Sequence, residues 1–368
     1  MKNIKRVMIA GLLSSIFFVA PAIGQMRGGP GQPDMTIDAA QRQQVIDSMI
    51  KQLHANYVFP EQARKAEAVI RQHQKNGDYK AITSAEKLSQ TLTEHLYAQT
   101  KDKHLRVFYS AEPIAETAAD AKPSAEELAQ QLAEMRSQNF GVERVERLPF
   151  NIGYLDLRAF GDVKDAAPSL AAAMTLVAHT EALIIDLRKN GGGDPATVTL
   201  LASYLLDGRT HMTDIYYRVG ERTEQMWSSD VVAGARFGQN KPVFVLTSKH
   251  TFSAAEDFSY ALKNLKRITL VGETTGGGAH PGDVIRINQH FNMFVPNGRS
   301  LGPVTKANWE GVGVAPDVSV AAEDAFKTAQ VAILKTLAAA EKNPGKLERI
   351  KTRIAKVDAE NTAGTMAR

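Results

Sequence analysis

The chain has 368 residues, no cysteine and a formal net charge of +4. Three of its cations, Lys2, Lys5 and Arg6, sit at the extreme N-terminus, so the remainder carries only about +1, far from the basic excess that nucleic-acid binding needs. With no cysteine there is no disulfide framework, no thiolate nucleophile and no cysteine-held metal, and the length suffices for one large domain and a smaller one.

Residues 1–24 have the layout of a secretory signal: a positive start, the 14-residue apolar run VMIAGLLSSIFFVA, and small residues at Ala22-Ile23-Gly24. The run is too short to span a bilayer. Cleavage near Gly24, a periplasmic or secreted product and no stable membrane insertion are therefore expected. The Gly/Pro-rich stretch 25–35 is expected to be a flexible leader. An all-helical domain follows over 36–112, opened by Thr36 or Asp38 as cap, with Val45, Met49, Leu53 and Tyr57 at helical spacing. Residues 113–145 read as a helical connector built on SAEELAQQLAEMRSQ.

From 146 to 325 the pattern changes. NIGYLDLRAF, ALIIDLR, KPVFVLTS and RITLVG are short apolar segments, and helical patterns such as DPATVTLLASYLL and SAAEDFSYALKNL alternate with them. That alternation predicts an α/β core with a mainly parallel sheet and packed helices. MTDIYYRVGERTEQMW and DVIRINQHFNMFVP read as hairpins or edge strands. Residues 326–368 are expected to finish a terminal helix and to end in a polar, frayed tail.

Chemistry concentrates where strands meet helices. Ser253 stands between KPVFVLTS and a helix, and Ser253-Ala254-Ala255-Glu256 fits a capping box. A serine there can be a cap or a nucleophile. The second role requires a base, a group to orient the base, and main-chain donors for an oxyanion. Ala254 N–H, at the helix mouth, is one such donor. The loop in DLRKNGGGDP places Gly192 and Gly193 after a buried strand, where main-chain N–H groups can face a ligand. A tight turn explains the same glycines, and no phosphate-binding motif is present.

DLRKNGGG, TFSAAEDF and LVGETTGGG, in that order, resemble the tail-specific or C-terminal-processing serine peptidases over residues 151 to 317. The resemblance implies a crotonase/ClpP-like core with Ser253 as nucleophile. Such peptidases typically place a lysine base 25 positions after the serine; that position is Gly278, and GETTGGGAHPGD contains no lysine. The related branch containing the tricorn protease core uses Ser, His and Glu. By resemblance of TKDKHLRVFY and NWEGVGVAPDV to its segments, those roles map to His104 and Glu310. The auxiliary serine of that branch is replaced by Lys103. ANYVFPEQA and the D-K-H-L-R-V ending resemble modules of the interphotoreceptor retinoid-binding protein and its bacterial relatives. Only 40 residues separate Tyr109 from Phe150, so no PDZ domain is expected between them.

The expectation is an exported serine peptidase acting on peptide or unfolded protein substrates, with no metal and no cofactor. Ser253, His104 and Glu310 form its catalytic set; Gly192 or Gly193, with Ala254, form its oxyanion hole. His280 in GGGAHPGD is a rival base, and His250, expected to face away, is a further one. Two other functions fit parts of the pattern. One is a non-catalytic carrier of retinoid-like or fatty-acyl ligands; the other is a crotonase-like acyl-CoA enzyme, which export argues against.

Overall fold

The computed structural model describes residues 32–114 and 125–365. The expected signal segment, most of the expected leader and part of the expected connector lie outside them. Helix α1 (Ala39–Asn56) starts at Asp38, whose carboxylate accepts Gln41 N–H at 2.8 Å while the Gln41 side chain accepts Asp38 N–H at 2.9 Å. Helix α2 (Pro60–Asn76) opens on proline and stops at Gly77, whose φ of 86° an L side chain resists. Helix α3 (Ala85–Thr100) is capped by Ser84 Oγ. The three close over Val45, Met49, Leu53, Ile70, Leu88 and Leu92, all essentially sealed from solvent; each such side chain contributes about 1.5–3 kcal/mol.

This region is not purely helical. Strand β1 (Arg106–Tyr109) buries Val107 and Tyr109 and pairs antiparallel with residues 291–294 of the core. The strand pairing of β1 lies there, so the helical region and the core share a sheet. The end of the leader is anchored too. Gln32 Nε2 donates to Tyr109 O at 3.2 Å, Tyr109 OH donates to Pro33 O at 3.1 Å, and Ala85 N–H donates to Met35 O at 2.9 Å. Residues 32–35 are therefore held, where flexibility was expected.

After α4 (Ala125–Ser137) come β2 (Val142–Leu148), β3 (Ile152–Leu157), α5 (Val163–Val177), β4 (Ala182–Asp186) and α6 (Pro195–Ser203). A hairpin, β5 (His211–Tyr217) and β6 (Arg222–Trp227), leads to β7 (Val243–Thr247), α7 (Ala254–Asn264) and β8 (Thr269–Gly272). The chain continues through β9 (Gly282–Asn288), β10 (Phe291–Pro296), β11 (Gly298–Leu301), β12 (Val318–Ser319), α8 (Ala322–Ala340) and α9 (Pro344–Thr365). The central sheet has the order β12-β8-β7-β4-β3-β2, parallel except where β2 pairs with β3. Two antiparallel three-stranded sheets, β1-β10-β9 and β11-β5-β6, flank it.

Every residue of β3 and β4 is buried, as a parallel sheet covered on both faces requires. Leu155, Leu183, Ile185 and Val245 face α5, α6 and α7; Tyr154, Ile184, Leu246 and Val271 face α8 and α9. The frayed tail expected after residue 343 is instead α9. Its Ile350 and Ile354 join Ile333 and Leu334 of α8 in the second core, and that burial stabilises a segment too polar to look folded. No helix among the described residues is long and apolar enough to cross a membrane.

Candidate active site

The strand-to-helix joints after β4 and β7 lie side by side because the two strands are parallel neighbours. The segments beyond them are stapled together. Ser248 Oγ donates to Arg188 O at 2.5 Å, Thr251 Oγ1 to Leu187 O at 2.8 Å, and Phe252 N–H to Asn190 O at 3.1 Å. Ser253 follows at the N-cap of α7 with φ 54° and ψ −121°, a backbone geometry costly for any residue but glycine. Glu256 Oε2 accepts Ser253 N–H at 2.9 Å, the return half of the capping box, and among the described residues the Ser253 hydroxyl donates to no other group. The hydroxyl remains available, and Ser253 is partly open to solvent. His250 is exposed.

The glycine loop presses on this serine. A side chain at Gly192 (φ +110°) would place its Cβ 2.7 Å from Ser253 Cβ and 3.0 Å from Ala254 N; one at Gly193 (φ +137°) would meet Phe160 O at 1.9 Å. Neither position accepts anything but glycine. Asn190, wholly buried, fixes the loop by donating to Leu157 O at 2.9 Å and accepting Gly192 N–H at 2.8 Å. That second bond removes Gly192 from the expected pair of donors. Among the described residues, no hydrogen bond occupies the N–H groups of Gly193 or Ala254. The oxyanion donors available beside Ser253 are those two.

Glu256 does more than cap. Fully buried, it accepts Thr275 Oγ1 and Gly277 N–H (2.6 Å) on Oε1, and Gly278 N–H (2.8 Å) together with Ser253 N–H on Oε2. Burial pushes its pKa up, while these four donors pull toward the ionised form. One carboxylate thus ties the serine's main chain to the 275–278 loop.

That loop meets His104. The imidazole is 4% exposed and lies between two rings, 4.6 Å from Phe252 and 5.6 Å from Phe294 by centroids. A Cβ at Gly278 would stand 2.6 Å from His104 Cε1 and 2.2 Å from Phe252 Cζ. The space a lysine stem would fill is therefore taken by the histidine ring and the ring next to Ser253. Among the described residues neither His104 nitrogen has a hydrogen-bond partner, and burial lowers its pKa to about 4 despite the opposing charge of Asp102. The Glu310–His104 pairing expected from the sequence is absent. Glu310 Oε2 accepts Ala279 N–H at 2.6 Å and lies 3.4 Å from His280 Nδ1, and its Oε1 has no partner.

Asp102, not singled out from the sequence, and Lys103 organise this side. Asp102, 1% exposed, accepts His104 N–H at 3.0 Å on Oδ1; on Oδ2 it takes Tyr57 OH at 3.1 Å and His280 Nδ1 at 2.8 Å. Lys103, where the tricorn-like branch has serine, donates from Nζ to Gly276 O. Burial alone would raise the Asp102 pKa, but the hydrogen bond and charge of His280 bring it below the usual carboxylate value. Burial and the Asp102 charge push Glu310 up to about 7. Oxygen and nitrogen atoms of Asp102, His280 and Glu310 lie within 4.8 Å of one another. The residue types suit a cation, yet Asp102 already takes three donors, one of them His280 Nδ1.

The model of peptidase family S41 matches residues 151–320, and that of the N-terminal domain of Peptidase_S41 in eukaryotic IRBP matches residues 38–141. The chain belongs to peptidase family S41. It is similar to the chloroplastic C-terminal processing peptidase of Tetradesmus obliquus, at 31% identity over 170 residues, 46% of this chain and 35% of that protein. To the carboxy-terminal-processing protease of Bartonella bacilliformis it is 26% identical over 192 residues, 47% of this chain and 40% of that one. The chain thus spans well under two thirds of the curated S41 relatives it matches. A solved protein of Parabacteroides merdae shares the fold with a TM-score of 0.52 and 20% identity, over 78% of this chain and 92% of that one.

Proposed function

We propose that this S41 chain is an exported serine peptidase that hydrolyses peptide bonds in peptide or unfolded protein substrates. The observation that carries the reading is the convergence at Ser253. A hydroxyl that donates to no other described group stands on a strained backbone, with Gly192 packed against its Cβ and the unoccupied N–H groups of Gly193 and Ala254 beside it. Two of the relatives reported above are processing peptidases by name.

In this reading His104 takes the proton from Ser253 Oγ as the oxygen attacks the scissile carbonyl, and returns it to the leaving amine. Its depressed pKa keeps the ring neutral and able to accept a proton at neutral pH. The N–H groups of Gly193 and Ala254 receive the oxyanion, and losing one such donor costs about 3 kcal/mol in the barrier. His104 is preferred to His280 because its ring lies against Phe252, the neighbour of Ser253, whereas that of His280 lies against Phe59 and Asp102. The charge of the Asp102 carboxylate favours the imidazolium.

A fluorophosphonate probe tests this directly. The mature wild-type protein is expected to label, and Ser253→Ala and His104→Ala each to abolish labelling. An unlabelled wild type that binds a retinoid or fatty acid would transfer the assignment to a ligand carrier.

A further inference from the structure

His280 is buried, its sequence neighbours belong to the core, and its Nδ1 spans to a carboxylate 178 positions away in the helical region. That carboxylate, Asp102, holds the main-chain N–H of His104 with its other oxygen. Three separate segments therefore meet on Asp102: the end of α1 through Tyr57 OH, the 102–104 turn through His104 N–H, and the 273–281 loop through His280. The same loop is fixed from the other side by Glu256, through Gly277 and Gly278. Hydrogen bonds thus lead from Ser253 N–H through Glu256 to Gly278, and, after the two covalent steps to His280, through Asp102 to the backbone of His104.

We propose that His280 is a positioning residue, which through Asp102 sets the placement of the His104 imidazole relative to Ser253. This rests on the peptidase reading and deepens it. The chemistry required of His280 is one N–H donor at the Nδ1 position, aimed at a buried carboxylate. Removing it leaves Asp102 with one donor fewer on Oδ2 and breaks the link through Asp102 between the His104 main chain and the loop that carries Gly278, so that the Lys103 Nζ bond to Gly276 O is left as the hydrogen bond between turn and loop. Among the described residues the imidazole nitrogens have no partner, so its placement there depends on the main-chain bond and on ring packing. A displacement of about 1 Å costs on the order of a hundredfold in rate.

The test compares His280→Ala with His280→Asn, because an asparagine Nδ2 reproduces the Nδ1 donor but cannot act as a base. Peptidase kinetics are expected to show kcat lowered by about a hundredfold in His280→Ala with KM little changed, and most of that loss recovered in His280→Asn. Amide hydrogen exchange of the peptide spanning residues 101–109 supplies a readout independent of activity: faster in His280→Ala, near wild type in His280→Asn. Equal loss of activity in both variants, with unchanged exchange, would make His280 the base and overturn the proposal. So would wild-type activity in His280→Ala, or exchange that does not respond to either substitution. A wild type without activity whose exchange follows the expected pattern would sink the peptidase reading while leaving the Asp102 link intact.

Discussion

Gly278→Ala is the smallest change that probes why this chain lacks the family's lysine. Gly278 does not have the positive φ that would strain an L residue, so the whole cost of a methyl group there is steric. The added Cβ would lie 2.2 and 2.5 Å from two atoms of the Phe252 ring and 2.6 Å from His104 Cε1, all well inside van der Waals contact. Both rings are boxed in, His104 between Phe252 and Phe294, and the loop cannot retreat without breaking the Gly278 N–H bond to Glu256. Overpacking of this kind costs about 1–3 kcal/mol. The expected result in urea unfolding is a lower midpoint with an unchanged slope. Fluorophosphonate labelling is expected to slow by about a hundredfold as the imidazole shifts, more than the small unfolded fraction explains. Wild-type stability together with wild-type labelling would refute the claim that the histidine occupies the lysine's place.

Other expectations follow from the same contacts. In Glu256→Gln either orientation of the amide turns its NH2 toward two donors, so stability should fall by about 1–3 kcal/mol and labelling with it; thermal melting and labelling check both. Gly193→Ala drives a Cβ to 1.9 Å from Phe160 O and should abolish labelling, while substitution of the exposed His250 by Ala should leave it unchanged. His104, with a pKa near 4 in the fold against 6.5 when unperturbed, makes the unfolded chain bind more protons between those values. Its contribution, about 3 kcal/mol, is complete above pH 6.5 and lost as pH falls toward 4. Glu310, raised to about 7, acts in the opposite sense, so the measurement is the difference in unfolding free energy between wild type and His104→Gln across pH 4 to 7. A difference that does not change with pH would contradict the buried, neutral imidazole.

The parallel strands were legible because β3 and β4 are buried on both faces and read as unbroken apolar runs. Strand β2, VERVERL, was not, since it edges the sheet with charged residues exposed and pairs only through its hairpin with β3. Strand β1 is four residues long and exists because β10 lies beside it, a pairing local periodicity cannot reveal. Helix α9 hid its core-facing Ile350 and Ile354 among lysines and arginines. At the site, the serine, the glycine loop and the histidine of D-K-H were visible as motifs. Their long-range bonds were not: nothing local tells that Glu256 reaches Gly277 and Gly278, that Asn190 occupies Gly192 N–H, or that Asp102 pairs with His280.

The central claim is that hydroxyl, imidazole and two main-chain donors act at one point, and a crystal structure of the fluorophosphonate adduct measures it most directly. The account predicts phosphorus bonded to Ser253 Oγ, a phosphonyl oxygen about 3 Å from the N–H groups of Gly193 and Ala254, and a His104 nitrogen facing the Ser253 oxygen. An adduct on another residue, or one on Ser253 whose oxygen avoids both amides while His280 takes the place assigned to His104, would contradict it.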